Sequence, residues 1–435
     1  MNNRTSTPVP EEAIVGMVHA ARAASNAGRD DEAGRLLQRA AELAPNHPFV
    51  NNECGVRAAL HQKPEEARAF FSKAVAADAS QPALWSNLAS ALHTLGLYDE
   101  ESDAIEKALV LEPRHLSSLL QKGALLEAIG QPRNAATAYR NALATIPPDA
   151  IVPPSVEAAV TRAKKVVSEN LESLQLAMEE RLAPIRQRYS SDQFRRAERC
   201  VDLLTGRRKR HDSQPTFMHF PELPTIEFFD RNMFPWLEPI EAATEAVRSE
   251  LLSVLSADRA GLEPYVAYPQ GVPLDQWAEL NQSRRWSAYF LWNQGEAQHS
   301  HLARCPKTAA LLEKTPRCEV NYRAPTAYFS ILDAKTRIPA HTGVTNTRLT
   351  VHLPLIVPPG CGFRVGSEIR EWIPGQAWVF DDTIEHEAWN ESDAPRAILI
   401  FDIWNPLLTE AEREVVRATT EAYGDFYHGA PEVKS

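Results

Sequence analysis

The sequence predicts a multidomain protein, an N-terminal all-α solenoid followed by a double-sheet, jelly-roll-like β barrel with flanking helices. Three observations predict it. At 435 residues the chain exceeds the size at which a single hydrophobic core keeps growing, so two or three domains are expected. The N-terminal third repeats itself at a fixed period, and the C-terminal part switches to short apolar runs broken by Pro and Gly.

The repeat is carried by three columns. Pro45, Ala79, Pro113 and Pro147 recur every 34 residues, as do Ala40, Ala74, Ala108 and Ala142, and also Gly28, Gln62, Gly96 and Gly130. Helical patterns from Glu32 to Leu43, Glu65 to Ala77 and Glu101 to Leu111 end shortly before the proline column. The first helix of each pair ends near the glycine column, where a turn or C-cap is needed, and the small alanines let paired helices approach closely. Residues 12–150 resemble about three full tetratricopeptide repeats, with Gln62 and Glu101 as degenerate positions. Such a solenoid offers a concave face to a peptide or protein; the alternative is a scaffold or dimerisation arm that touches no substrate.

Residues 151–225 are predicted to form a helical connector. Pro147, Pro148, Pro153 and Pro154 open it, a charged helical pattern runs from Val156 to about Leu204, and the stretch from His219 to Thr225, with Pro221 and Pro224, ends any helix. The basic run Arg207, Arg208, Lys209, Arg210 and His211 lies here and is taken as a solvated linker without a role.

From residue 226 to 415 a third pattern is expected. Helix-like stretches from Pro239 to Ala257 and Lys307 to Glu313 precede strand-like runs at Ala327 to Leu332, Arg348 to Val357, Gly362 to Val365, Ala377 to Phe380 and Ala397 to Ile403. Short runs rich in Val, Ile, Phe and Trp between turn residues are the mark of a barrel or double-sheet jelly roll. Trp236, Trp277, Trp286 and Trp292 are expected in its core, and residues 416–435 are expected as a C-terminal tail.

Composition narrows the function classes. A net charge of −11 argues against nucleic-acid binding, which calls for a basic face. Cys54, Cys200, Cys305, Cys318 and Cys361 are scattered without CxxC spacing, so neither a disulfide framework nor a zinc site is expected. The first residues show no apolar leader, and no stretch approaches the roughly 20 apolar residues that cross a bilayer. The expectation is a cytoplasmic protein with neither nucleic-acid nor membrane partner.

The chemistry concentrates between His341 and Pro406. His341 precedes one strand-like run, with Gly343, Asn346, Arg348, Thr350 and His352 after it; Asp381, Asp382, Glu385 and His386 follow another; Arg396 lies on the next, ahead of Asp402 and Trp404. Two imidazoles with open positions suit an oxygen-activating iron, and an arginine ten residues after His386 suits a bidentate grip on a dicarboxylate. The residues alone leave Asp381, Asp382 and Glu385 open as a third ligand. His299 and His301 form another candidate pair, set aside because no acid or anchoring arginine accompanies them.

Here the sequence resembles the aspartyl/asparaginyl beta-hydroxylases, Fe(II)- and 2-oxoglutarate-dependent dioxygenases with a double-stranded β-helix, or cupin-like, catalytic fold. The resemblance covers roughly residues 215–415 and is densest from Tyr328 to Arg413; animal members also carry tetratricopeptide repeats before this domain. It implies His341 and His386 as iron ligands, Arg396 and Ser330 on the distal carboxylate of 2-oxoglutarate, His352 near the carboxylate closest to the metal, and Asp382 beside the metal, orienting a bound water. Most oxygenases of the wider superfamily place an acid where this chain has Gly343, an absence the family shares, with Asp382 the next choice as a third ligand. The animal members have a second arginine where this chain has Thr350; Arg348, on the same strand face, is the residue that could take over its contact.

The implied activity uses Fe(II), 2-oxoglutarate and O2 to hydroxylate an unactivated carbon, foremost the β-carbon of Asp or Asn in a polypeptide presented by the solenoid. Two rivals follow from the same residues: a hydroxylase of fatty-acyl or other small molecules, which the catalytic domain also resembles, and a non-catalytic adaptor with a vestigial barrel.

Overall fold

The computed structural model describes residues 10–147 and 150–428, so the stretch read for a leader, Pro148 of the connector and the last residues of the expected tail lie outside the described residues. The chain divides into two compact units, Met1–Val201 and Asp202–Ser435.

Among its described residues the first unit has helices and no strand: α1 Glu11–Asn26, α2 Asp30–Leu43, α3 Pro48–Leu60, α4 Pro64–Ala77, α5 Pro82–Thr94, α6 Tyr98–Leu111, α7 Leu116–Ala128 and α8 Pro132–Leu143 form four pairs, one more than the three full repeats expected. The columns explain the pairing. Ala40, Ala74, Ala108 and Ala142 are all completely buried where helices touch. Gly28, Gly96 and Gly130 adopt positive φ at the turn inside each pair, and Gln62 is forced into the same left-handed conformation. A long helix, α9 Pro154–Arg186, packs Val160, Ala163 and Val166 against the α7–α8 pair, and α10 Ser191–Leu204 follows it.

The predicted connector is therefore helical only to Leu204. Beyond it the chain runs extended along the β-rich unit: Thr216 and Phe217 donate main-chain hydrogen bonds to Gly343 and Val344, at 3.0 Å each. Arg208, taken as part of a solvated run, forms ion pairs with Glu227 and Glu368.

Among the described residues the second unit holds eleven strands: β1 Glu263–Pro264, β2 Trp286–Asn293, β3 Glu296–Ala297, β4 Ala327–Leu332, β5 Thr336–His341, β6 Arg348–Ile356, β7 Cys361–Val365, β8 Glu368–Arg370, β9 Trp378–Phe380, β10 His386–Asn390 and β11 Arg396–Trp404. They make a large sheet in the order β1-β2-β4-β11-β6-β9, with β3 on β2, and a small sheet in the order β5-β10-β7-β8. Their pairings are antiparallel. One face of the large sheet, with Phe329, Leu349, Val351 and Leu399, packs on the helices α11 Leu237–Ala242, α12 Thr244–Ala257 and α14 Pro306–Leu312. Its other face, with Tyr328, Ile398 and Ile400, shares a core with Ile338, Phe363 and Ala388 of the small sheet. All nine residues of β11 are buried because both its faces are covered, which is why Ala397 to Phe401 is a continuous apolar run rather than an alternation. The single helix expected from Pro239 to Ala257 is two, broken at Ala243. The region expected as a tail begins inside a helix, α15 Glu410–His428, whose Val416 and Thr420 are buried.

Candidate active site

A cavity of about 630 Å3 opens between the two sheets. Ser330, His341, Arg348, His352, Asp382, His386 and Arg396 all line it, so residues spread over 67 positions of chain converge.

The two histidines meet because β5 and β10 are neighbours. His341 ends one strand, His386 begins the other, they sit opposite in register, and their ring centres are 4.1 Å apart. The same local device orients both: Nδ1 of His341 donates to the Pro339 carbonyl at 2.8 Å, and Nδ1 of His386 to the Ile384 carbonyl at 3.0 Å. A proton fixed on Nδ1 leaves the Nε2 lone pair available to a metal. Burial, helped by the nearness of His386, pushes His341 down to about 3, and burial pushes His386 down to about 4. Both rings are neutral near pH 7, the form that ligates.

Gly343 has a spatial reason to lack a side chain: a Cβ there would fall on the carboxylate of Asp382. The Gly343 N–H donates to the Asp382 carbonyl at 2.7 Å, and Thr350 Oγ1 donates to Asp382 Oδ2 at 3.3 Å. Oδ1 of Asp382 is buried without a partner. Asp381 instead accepts from the N–H and hydroxyl of Thr383, and Glu385 pairs with Arg364 on the surface, so of the three candidate acids only Asp382 reaches the cavity. Among the described residues no three His, Cys, Asp or Glu side chains are grouped so that they could hold a metal ion.

Arg396, the first residue of β11, is 1% exposed, stacks its guanidinium 4.7 Å over Trp372, and leaves Nε and Nη1 without partners. Burial pushes it down to about 10, still a cation at neutral pH. Ser330, on the neighbouring β4, accepts from Trp286 Nε1 at 3.1 Å and keeps its own O–H free to donate. His352 lies between Phe363 and Phe380, held well below its usual range by burial and the Arg396 charge, with Nδ1 unpartnered. Arg348 differs: its Nη1 donates to Asp402 Oδ2 at 2.8 Å and to the Arg323 carbonyl at 2.9 Å, so its charge is matched inside the protein.

Some wall residues escaped the sequence reading. Trp277 and Trp286, expected as core, line the cavity, Trp277 edge-on to His341 with ring centres 5.0 Å apart. Tyr265 stacks on Trp286 at 4.0 Å and lies in a loop with no periodic signal. His299 and His301 fall on a short helix, α13 His299–Arg304, where His301 bonds the Phe290 carbonyl at 2.7 Å and stacks on Tyr289.

Part of the β-rich unit and one of the helical pairs match two known families. Residues 241–406 match the family model for aspartyl/asparaginyl beta-hydroxylase, and residues 82–115 match that for the tetratricopeptide repeat. The chain thus carries an aspartyl/asparaginyl beta-hydroxylase family domain behind tetratricopeptide repeats, which supports a hydroxylase. It is similar to human aspartyl/asparaginyl beta-hydroxylase, 36% identical over 42% of this chain and 24% of that one. It is 33% identical to an ornithine lipid ester-linked acyl 2-hydroxylase of Rhizobium tropici, over 45% of this chain and 66% of that one. Human aspartate beta-hydroxylase domain-containing protein 2 is 30% identical over 47% of this chain and 54% of that one. The match spans about a quarter of the length of the human hydroxylase. No described helix is long and apolar enough to cross a membrane.

Proposed function

We propose that the β-rich unit is an Fe(II)- and 2-oxoglutarate-dependent dioxygenase that hydroxylates an unactivated carbon, the β-carbon of an Asp or Asn residue in a polypeptide. The observation that carries this reading is the buried guanidinium of Arg396, unpartnered in a cavity it shares with two neutral imidazoles. A buried cation without a counter-ion costs several kcal/mol, and an anionic ligand removes that penalty. A dicarboxylate fits: Arg396 and the Ser330 hydroxyl take its distal end, and His352 stands near the other. Arg348, already matched by Asp402, closes the wall beside Thr350.

In this reading His341 and His386 would hold iron through Nε2, and Asp382, in the space Gly343 leaves, would offer its open carboxylate oxygen beside it. Iron and cosubstrate together supply dioxygen activation, with one oxygen atom going into a C–H bond and the other into succinate. The residues of the chain position the target and exclude water, the latter through Tyr265, Trp277 and Trp286. We take the two sheets as a double-stranded β-helix of the jelly-roll type, a reading their antiparallel order and shared core support. The repeats would hold the polypeptide substrate.

A fatty-acyl substrate is the second reading, favoured by the similarity to the Rhizobium acyl hydroxylase and by the aromatic walls. Peptide and acyl pools incubated with protein, Fe(II), 2-oxoglutarate and air distinguish the two. The peptide pool is expected to gain about 16 Da, one oxygen atom, in step with succinate. A gain confined to the acyl pool would transfer the proposal to the second reading, and turnover unaffected by His341→Ala would overturn both.

A further inference from the structure

Four cavity-lining side chains carry a formal charge: Arg348, Arg396, Asp382 and Asp402. The three lining histidines add no formal charge: His341 and His386 keep a proton on Nδ1, each bonded to a carbonyl, and His352 lies between two aromatic rings. Two cations and two anions cancel. On the proposed reading, on which this inference rests, a divalent iron and a dicarboxylate cancel as well, so the loaded cavity is neutral. A substrate carboxylate entering it would be a buried charge with no counter-ion, and such a charge is disfavoured far more than a neutral polar group that finds a hydrogen bond.

The open donors of Arg396, His352 and Trp372 cluster together at the cosubstrate end, and the open acceptors lie apart from them. Oδ1 of Asp382 and Oδ1 of Asp402 are both buried without partners, and both are acceptors. Thr350 sits between them: it lies opposite Asp402 in the β6–β11 register and donates its hydroxyl proton to Asp382. Were Asp382 engaged elsewhere, Asp402 would still leave one open acceptor. A carboxylate would meet these oxygens as like charge, whereas a carboxamide brings an N–H donor to them. An acyl chain would leave them unsatisfied.

We infer that this cavity selects an uncharged hydrogen-bond donor, the carboxamide of asparagine over the carboxylate of aspartate, and that Thr350 sets this choice. An arginine at position 350 would add one cation beside Asp382 and reverse it.

The test uses the full chain with two degenerate peptide pools that differ only in a central Asn or Asp, and methyl octanoate, which has no hydrogen-bond donor, as the acyl probe. Binding is read anaerobically with Fe(II) and 2-oxoglutarate through tryptophan fluorescence, and product is read by mass in air. Wild type is expected to bind the Asn pool at least about tenfold more tightly than the Asp pool. Thr350→Gln should keep that order and Thr350→Arg should invert it. Equal binding of the two pools by wild type, tighter binding of the Asp pool, or preferential hydroxylation of the acyl probe would overturn the inference. The wild-type comparison stands alone if Thr350→Arg fails to fold. Succinate formed without any peptide separates the two levels: if it forms while the pools bind equally, only this inference falls, and if it never forms, the cofactor reading falls with it.

Discussion

Arg396 shows what a single residue can reveal when its surroundings are counted. A cation that is 1% exposed, with two donor nitrogens unpaired, is stable only with an anionic ligand in view. Arg396→Ala should therefore raise the 2-oxoglutarate concentration needed for half-maximal succinate formation about a hundredfold, from the roughly 2–5 kcal/mol lost when one member of a buried charged pair is removed. An unchanged requirement would place the anchor elsewhere. Gly343 makes the complementary prediction. Because a Cβ there falls on Asp382, Gly343→Ala should cost about 1–3 kcal/mol of stability through overpacking and cut turnover with it; thermal unfolding and succinate assays read both. The candidate histidines and Arg396 were legible from spacing and family likeness. The pairing of Arg348 with Asp402, and the use of Gly343 to admit Asp382, were not, because each depends on a partner more than 35 residues away in the chain.

Elements were legible in proportion to how long and how regular they are. The 34-residue period locates the helix pairs, and β4, β6 and β11 are legible because each holds a long apolar run, β4 and β11 buried throughout and β6 from Val351 to Leu355. β5 and β10, which carry the two histidines, were missed. They are five or six residues long, mix charged and apolar side chains, and are recognisable only once paired with each other. In the helical unit the close contacts depend on size: Gly55 lies under Phe71, and Gly123 under Tyr139, 68 residues further on in both members. Gly123→Ala should destabilise the helical unit by about 1–3 kcal/mol, since its new methyl would overlap the Tyr139 ring. Denaturant unfolding followed by circular dichroism measures this, and a midpoint equal to wild type would mean that the ring moves aside freely.

At the scale of the whole molecule, each compact unit has its own hydrophobic clusters, those of the helical unit built from residues such as Val50, Phe71 and Tyr139 and those of the β-rich unit from Phe329, Phe363 and Phe401. The segment from Asp202 onward should consequently fold without the repeats and keep uncoupled succinate formation, while losing affinity for a polypeptide substrate. Equal activity on that substrate would make the solenoid a bystander. The central claim is that His341 and His386 hold iron in the cavity where Arg396 anchors 2-oxoglutarate. Anaerobic addition of Fe(II) and 2-oxoglutarate to the apo-protein tests it most directly, through the visible charge-transfer band of the chelate. The band should form with wild type and be absent from His341→Ala and His386→Ala; a band of equal strength in either variant, or none in wild type, would contradict the account.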